Sequence, residues 1–171
     1  VLIVGQIAGG LFMHQLEFSD LKIQLYQLHK SFGFVVLALS FYRLYWRLTH
    51  PAPALPAHMP GWQQLVAKGT HVAFYALMIG VPVLGWLMVS ADPLTERFPT
   101  KLFFLVPVPN LPVPVDKDLS DWFTDLHELT AKGTLALLIL HIAAGLKHHY
   151  KDKDDVLSRM VPGIKPKGLT Q

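Results

Sequence analysis

Twenty-three consecutive residues, Gly69 to Ala91, contain no Asp, Glu, Lys or Arg. Few water-soluble helices match that, and a run of this length spans the roughly 30 Å hydrocarbon core of a bilayer. Pro82 lies inside it, which membrane helices tolerate because neighbours satisfy the freed carbonyl. Only 16% of the 171 residues are charged and 51% are hydrophobic, against about 25% charged in ordinary soluble domains. The run therefore reads as one span of an integral-membrane protein, and the length allows roughly four.

The other spans are less clear-cut. Val1 to Met13 is apolar but rises only about 20 Å, short of a full crossing. The expectation is that the sequence begins inside its first helix; Val1 opens directly on apolar residues, with no basic leader or cleavage site to suggest a signal peptide. A second segment runs from about Tyr26 to Leu48. Its uncharged centre is flanked by Lys30 and Arg43, with Tyr42, Tyr45 and Trp46 as an aromatic belt; alone, it reads equally as a buried soluble helix. A fourth runs from about Trp122 to His149, with Ser120, Asp121, Asp125 and Glu128 as an N-terminal signal. The proline-rich stretches "HPAPALPAHMP" and "PVPNLPVPV" are read as extended connections, the second as a loop long enough to carry function. The fold expected is all-α, an integral-membrane four-helix bundle in a single domain over 1–171, with a tail from 150 to 171.

Basic residues set the orientation. Arg43, Arg47 and Lys68 face no acid between segments two and three, and six Lys or Arg follow Leu146. The connection from Ser90 to Asp125 holds six acids and three bases. Both termini are therefore placed inside, and segments two and four start on the outer side. Net charge is only +3, and no basic run is interleaved with aromatics, so nothing argues for nucleic acid.

Chemistry is concentrated in the nine histidines. Ionisable groups within spans are costly and are functional candidates by default. His127 and His141 lie fourteen residues apart on one segment, within about 40° of the same helix face and about 21 Å apart along the axis. One helix thus presents imidazoles near both leaflets, a geometry suited to two stacked haems. The chain has no cysteine, which excludes thioether-attached haem, cysteine-held iron–sulfur clusters, thiolate zinc sites and disulfides. Paired neutral imidazoles suit a b-type haem. His29, at the outer start of segment two, pairs with His127. His141 needs a partner, from His71 or from residues upstream of Val1. His71 has hydrogen bonding to a propionate or quinone as its rival role. Gly33 and Gly133 are read as bare spots for a porphyrin edge. Lys30 and Lys132 are placed either on propionates or snorkelling; His14, His50 and His58 are read as loop residues, and His148 and His149 as a solvated helix end. No residue stands out as a catalytic acid, base or nucleophile.

The segments "LHKSFG" with "YRLYWRL", "KGTHVAFYALM" and "LHELTAKGTLALLILHIAAGLKHHYKDKDDVLSRM" resemble the bacterial cytochrome b561 family over nearly the whole chain. The resemblance implies a four-helix protein of the bacterial inner membrane, its C-terminus cytoplasmic, with two b haems and electron transfer that exchanges with ubiquinone. Carried onto this sequence it implies His29, His127 and His141 as haem and iron ligands. The family's helix-one ligand, in a His-Trp pair, has no counterpart before Val1. Alternatives are a superoxide oxidase passing electrons to ubiquinone, and a haem-bearing anchor for a separate dehydrogenase. The first calls for outer cations, here Lys101, Arg97, Lys117, Lys30 and Lys132; the second makes the proline-rich outer loop a docking surface for a periplasmic redox partner. A haem-free metal transporter using the same histidines predicts no Soret absorption.

Overall fold

The computed structural model describes residues 2–51, 59–161 and 163. Residues 52–58, with His58 and most of the first proline-rich connection, lie outside the described residues, as do 164–171 of the tail.

Four helices make the body: α1 (Leu2–Gln15), α2 (Asp20–Thr49), α3 (Gly61–Ala91) and α4 (Lys117–Lys147). Each of the last three begins before its apolar run does, because capping chemistry lies outside that run. Helix α2 starts at Asp20 rather than Tyr26, since Ser19 caps it by accepting the Lys22 N–H. Helix α4 starts at Lys117 rather than Trp122, capped by Asp116, which accepts the Leu119 N–H at 2.8 Å. Ser120 is not a cap. It is buried and donates to the Met88 carbonyl on α3 at 3.0 Å. Helix α3 starts at Gly61 rather than Gly69, just after Pro60, whose fixed φ suits the edge of a first turn.

Helix α4 packs most extensively on α3; α2 lies against α3, and α1 against α2 with a smaller contact to α4. Small hydroxyl residues fill the contacts. Ser31, Ser40, Ser90, Ser120 and Thr134 are all buried, and Ser40, Ser90 and Thr134 each return the hydroxyl to the carbonyl four residues back. Large apolar side chains point the other way: Leu65, Val72, Leu129 and Leu140 are each about two-thirds exposed or more. Small polar groups inside and large apolar groups outside is the pattern of helices packed in lipid. By length and composition, α3 and the segment Lys117–Asp152 can each cross a membrane.

The connection from α3 to α4 contains an element that its proline content had hidden, an antiparallel ribbon of β1 (Lys101–Leu102) and β2 (Val106–Pro107). At its tip Phe103 and Phe104 both take positive φ, 46° and 65°. The connection is fastened along its length to helix ends. Gln27 donates to Pro99 O at 2.7 Å, Ser31 Oγ accepts the Phe103 N–H at 2.8 Å, and Trp86 donates to Pro109 O at 3.0 Å. The start of α2 and the approach to α4 therefore share one end of the body. Beyond α4 the chain makes a π turn (His148–Asp152) and a short α5 (Val156–Met160).

Candidate functional site

Helices α2 and α4 bear the same face of the body but do not touch: among the described residues no Cα of one lies within 8 Å of the other. The gap is bridged by two rings. His29 of α2 and His127 of α4 stand with centroids 6.3 Å apart and planes at 80°. Each is set in place by backbone chemistry on a third helix.

His127 Nδ1 is 2.9 Å from the Val81 carbonyl of α3. That contact fixes the tautomer, with Nδ1–H donating and the Nε2 lone pair free. A histidine that ligates a metal is oriented in this way, by a carbonyl on its other nitrogen. The approach is possible because Gly85, one turn beyond Val81, has no side chain; a Cβ there would lie 3.1 Å from His127 Cε1. His29 sits against α1. A Cβ on Gly10 would be 3.5 Å from its Cε1, and Gln6 donates to its carbonyl at 2.8 Å. His29 Nδ1 is buried without a hydrogen-bond partner, a costly state for a polar atom unless something else satisfies it.

At the far end, His141 of α4 faces His71 of α3, with centroids 5.8 Å apart and planes at 79°. Phe74 stacks edge-on against the same imidazole at 5.2 Å. Unlike the first pair, these residues sit on two helices packed against each other, and His71 is exposed. His127 and His141 both turn towards α3.

The remaining expectations fare unevenly. An added Cβ at Gly133 would meet nothing within 4 Å, and at Gly33 it would meet Gln6, not open space. The glycines that shape the histidine surroundings are Gly10 and Gly85, whose roles depend on how α1 and α3 are rotated. Lys132 is paired with Glu128 at 3.0 Å, and Lys30 is half-buried. His14 lies in the last turn of α1, 3.8 Å from Glu128. His50 ends α2, stacked on Trp46 with centroids 3.8 Å apart. Neither is a loop residue. His148 and His149 are not solvated: the π turn folds them inward, and the exposed fraction of the His148 side chain is 14% and of His149 8%.

The sequence matches the prokaryotic cytochrome b561 family over residues 1–163. The chain belongs to that family. Cytochrome b561 homolog 2 of Escherichia coli K12 is 31% identical over 163 residues, covering 94% of this chain and 84% of the relative. Cytochrome b561 homolog 1 of the same organism is 27% identical over 144 residues, covering 84% and 78%. A Yersinia pestis protein named "Probable superoxide oxidase CybB" is 30% identical over 136 residues, covering 79% and 73%. Membership makes this chain an electron-transport cytochrome with membrane helices and b-type haem.

The outer pair fits a b561 haem on three independent grounds. The donors are two imidazoles facing across an open gap, one has its second nitrogen tied to a carbonyl, and glycines lie where a side chain would crowd each ring. Gly85 provides a sharp check. In Gly85→Ala the new methyl is too close to His127, so the ring must shift, and the bound haem should show altered low-spin electron paramagnetic resonance g values. Gly10→Ala, at ordinary contact distance, should leave those values as they are; equal spectra for both variants would contradict the placement of His127.

Proposed function

We propose that this b561 chain is a transmembrane electron conduit of the bacterial inner membrane, exchanging electrons with the quinone pool through two b haems. In this reading α1 to α4 form the membrane bundle, one domain with a cytoplasmic C-terminal tail. His29 and His127 hold the outer haem, and His141 is a ligand of the inner one. What supports it most is the His29–His127 pair, facing across helices that are otherwise apart, with His127 oriented by Val81 O. Haem with both axial positions filled supplies one-electron chemistry with little rearrangement of its ligands. The protein's part is to hold both imidazoles neutral and fixed, one from a carbonyl and one by burial. His141, about 21 Å further along α4, carries the path towards the other leaflet, and His71 faces it. The preponderance of Lys and Arg between α2 and α3 and after Leu146 favours those segments on the cytoplasmic side.

The likeness to a protein named as a probable superoxide oxidase raises a second reading, in which superoxide is the outer donor. Two of the cations that would draw in the anion are engaged with acids: Lys117 with Asp121 and Lys132 with Glu128. This weakens an outer cationic funnel and leaves quinone-linked transfer ahead.

The test is a haem count and two rapid-mixing experiments on the detergent-purified full chain. Two b haems per chain, with reduced haem reoxidised by a short-chain ubiquinone on the millisecond scale, are the expected results. A reduced chain indifferent to ubiquinone would overturn the quinone assignment. Haem reduction by superoxide at close to the diffusional limit would move the function to the second reading.

A further inference from the structure

Beyond Lys147 the last turn widens, so that His148 to Asp152 form a π turn. Lys153 closes it in the left-handed conformation, φ 55°, and the Asp154 N–H returns to the His148 carbonyl at 3.3 Å. This geometry gathers three side chains that an uninterrupted α-helix would keep apart. His148 Nδ1 lies 2.7 Å from Asp154 Oδ2 and 3.2 Å from Asp152 Oδ2. One donor atom from each of the three falls within 4.8 Å of the others. The Asp154 side chain is only 5% exposed. Its other oxygen accepts the Val156 N–H at 3.0 Å, which aims Oδ2 at the imidazole. The three line a cavity of about 320 Å³ together with Met59, Pro60 and Gln63 at the start of α3.

We propose that His148, Asp152 and Asp154 form a binding site for a divalent transition cation, with zinc the ion whose ligand chemistry they fit best. One imidazole nitrogen and two carboxylate oxygens are a zinc donor set, and a fourth position is completed by water or an amide oxygen. Tetrahedral bonds of about 2.0–2.1 Å place donors roughly 3.4 Å apart, so the three need only small movements to close on an ion. The Val156 N–H on Asp154 is the outer-shell contact that such sites use to fix a ligating carboxylate. Gln63 supplies an amide on the cavity wall. Two carboxylates offset the charge of the ion, and the carbonyl end of α4 adds to this. Lys147 opposes it, with Nζ 2.6 Å from Asp152 Oδ2, and must swing aside when the ion enters. The site is separate from the haem histidines: His148 is seven residues past His141, about 10 Å along the axis. It stands or falls without the haem assignment.

The rival is a helix-end ion pair with no ion bound, and calorimetry separates the two. Zinc chloride is titrated into the haem-loaded full chain in detergent, with the Soret band recorded as a check on folding. One zinc per chain is expected, with affinity at least tenfold weaker in His148→Ala and in Asp154→Asn, and unchanged in His14→Ala. No binding to the unaltered chain, or equal affinity in the two cluster variants, overturns the site. Should both cluster variants lose the Soret band, Lys147→Met decides: freeing Asp152 should tighten zinc binding severalfold, and unchanged or weaker binding overturns it.

Discussion

His127→Ala is expected to remove one haem per chain, taking the outer site from full to empty while the bundle stays folded. Three features make the effect this large. The substitution removes a ligand and not merely a packing group, and α2 and α4 have no direct contact that would hold a porphyrin without it. It also leaves His29, whose buried Nδ1 has no partner of its own, as the single remaining donor. His29→Ala should give the same loss. His127→Met is the informative intermediate: haem retained, with a raised reduction potential, because a thioether favours the reduced iron. Haemochrome stoichiometry and a redox titration read both outcomes. Unaltered stoichiometry in His127→Ala would remove this residue from the ligand set.

The second large effect is expected at Ser31, two residues from His29 and fully buried. Its hydroxyl donates to Gln27 O at 2.7 Å and accepts the Phe103 N–H at 2.8 Å, tying the β1–β2 tip to α2. That tip pays for its shape. Two phenylalanines in the left-handed region cost about 1–2 kcal/mol each, and they persist because α2 holds the ribbon from below. Phe32 and Phe103 add an edge-on ring contact with centroids 5.4 Å apart. In Ser31→Val the Phe103 N–H loses its acceptor, at a cost of about 1–3 kcal/mol, and the ribbon can relax out of its strained turn. Hydrogen exchange at the Phe103 amide should accelerate by about tenfold or more, with a lower melting temperature. Exchange at the wild-type rate would mean that Ser31 does not anchor the ribbon.

How far these features could be seen beforehand depends on the kind of physics involved. The charge-free stretch inside α3 needs no context, because any lipid-facing helix must be apolar. Helix starts were less visible: Ser19, Pro60 and Asp116 lie in polar sequence, outside any apolar window. His127 and His141 share a face by helical arithmetic alone, so pairing across the body could be proposed from spacing. Gly85 could not, since its role requires knowing how α3 is rotated against α4 and that Val81 O is within reach. The ribbon was hidden because its turn uses Phe103 and Phe104 where Asn-Gly is the usual signal. His148 and His149 were misread for a related reason: a polar, lysine-flanked helix end looks solvated until a π turn rolls it inward.

The separation of α2 from α4 has a consequence for biogenesis. Most bundles are complete once their helices have packed, but here one internal wall is contributed by a small molecule that the ribosome does not make. Maturation then has two inputs, polypeptide and porphyrin, and the abundance of the finished protein is set by whichever is scarcer. A ligand that binds only the folded form stabilises it in proportion to the logarithm of its free concentration. Chains made during haem shortage would carry an unfilled seam between two helices and present it to membrane proteases, so quality control could read cofactor status directly from helix packing.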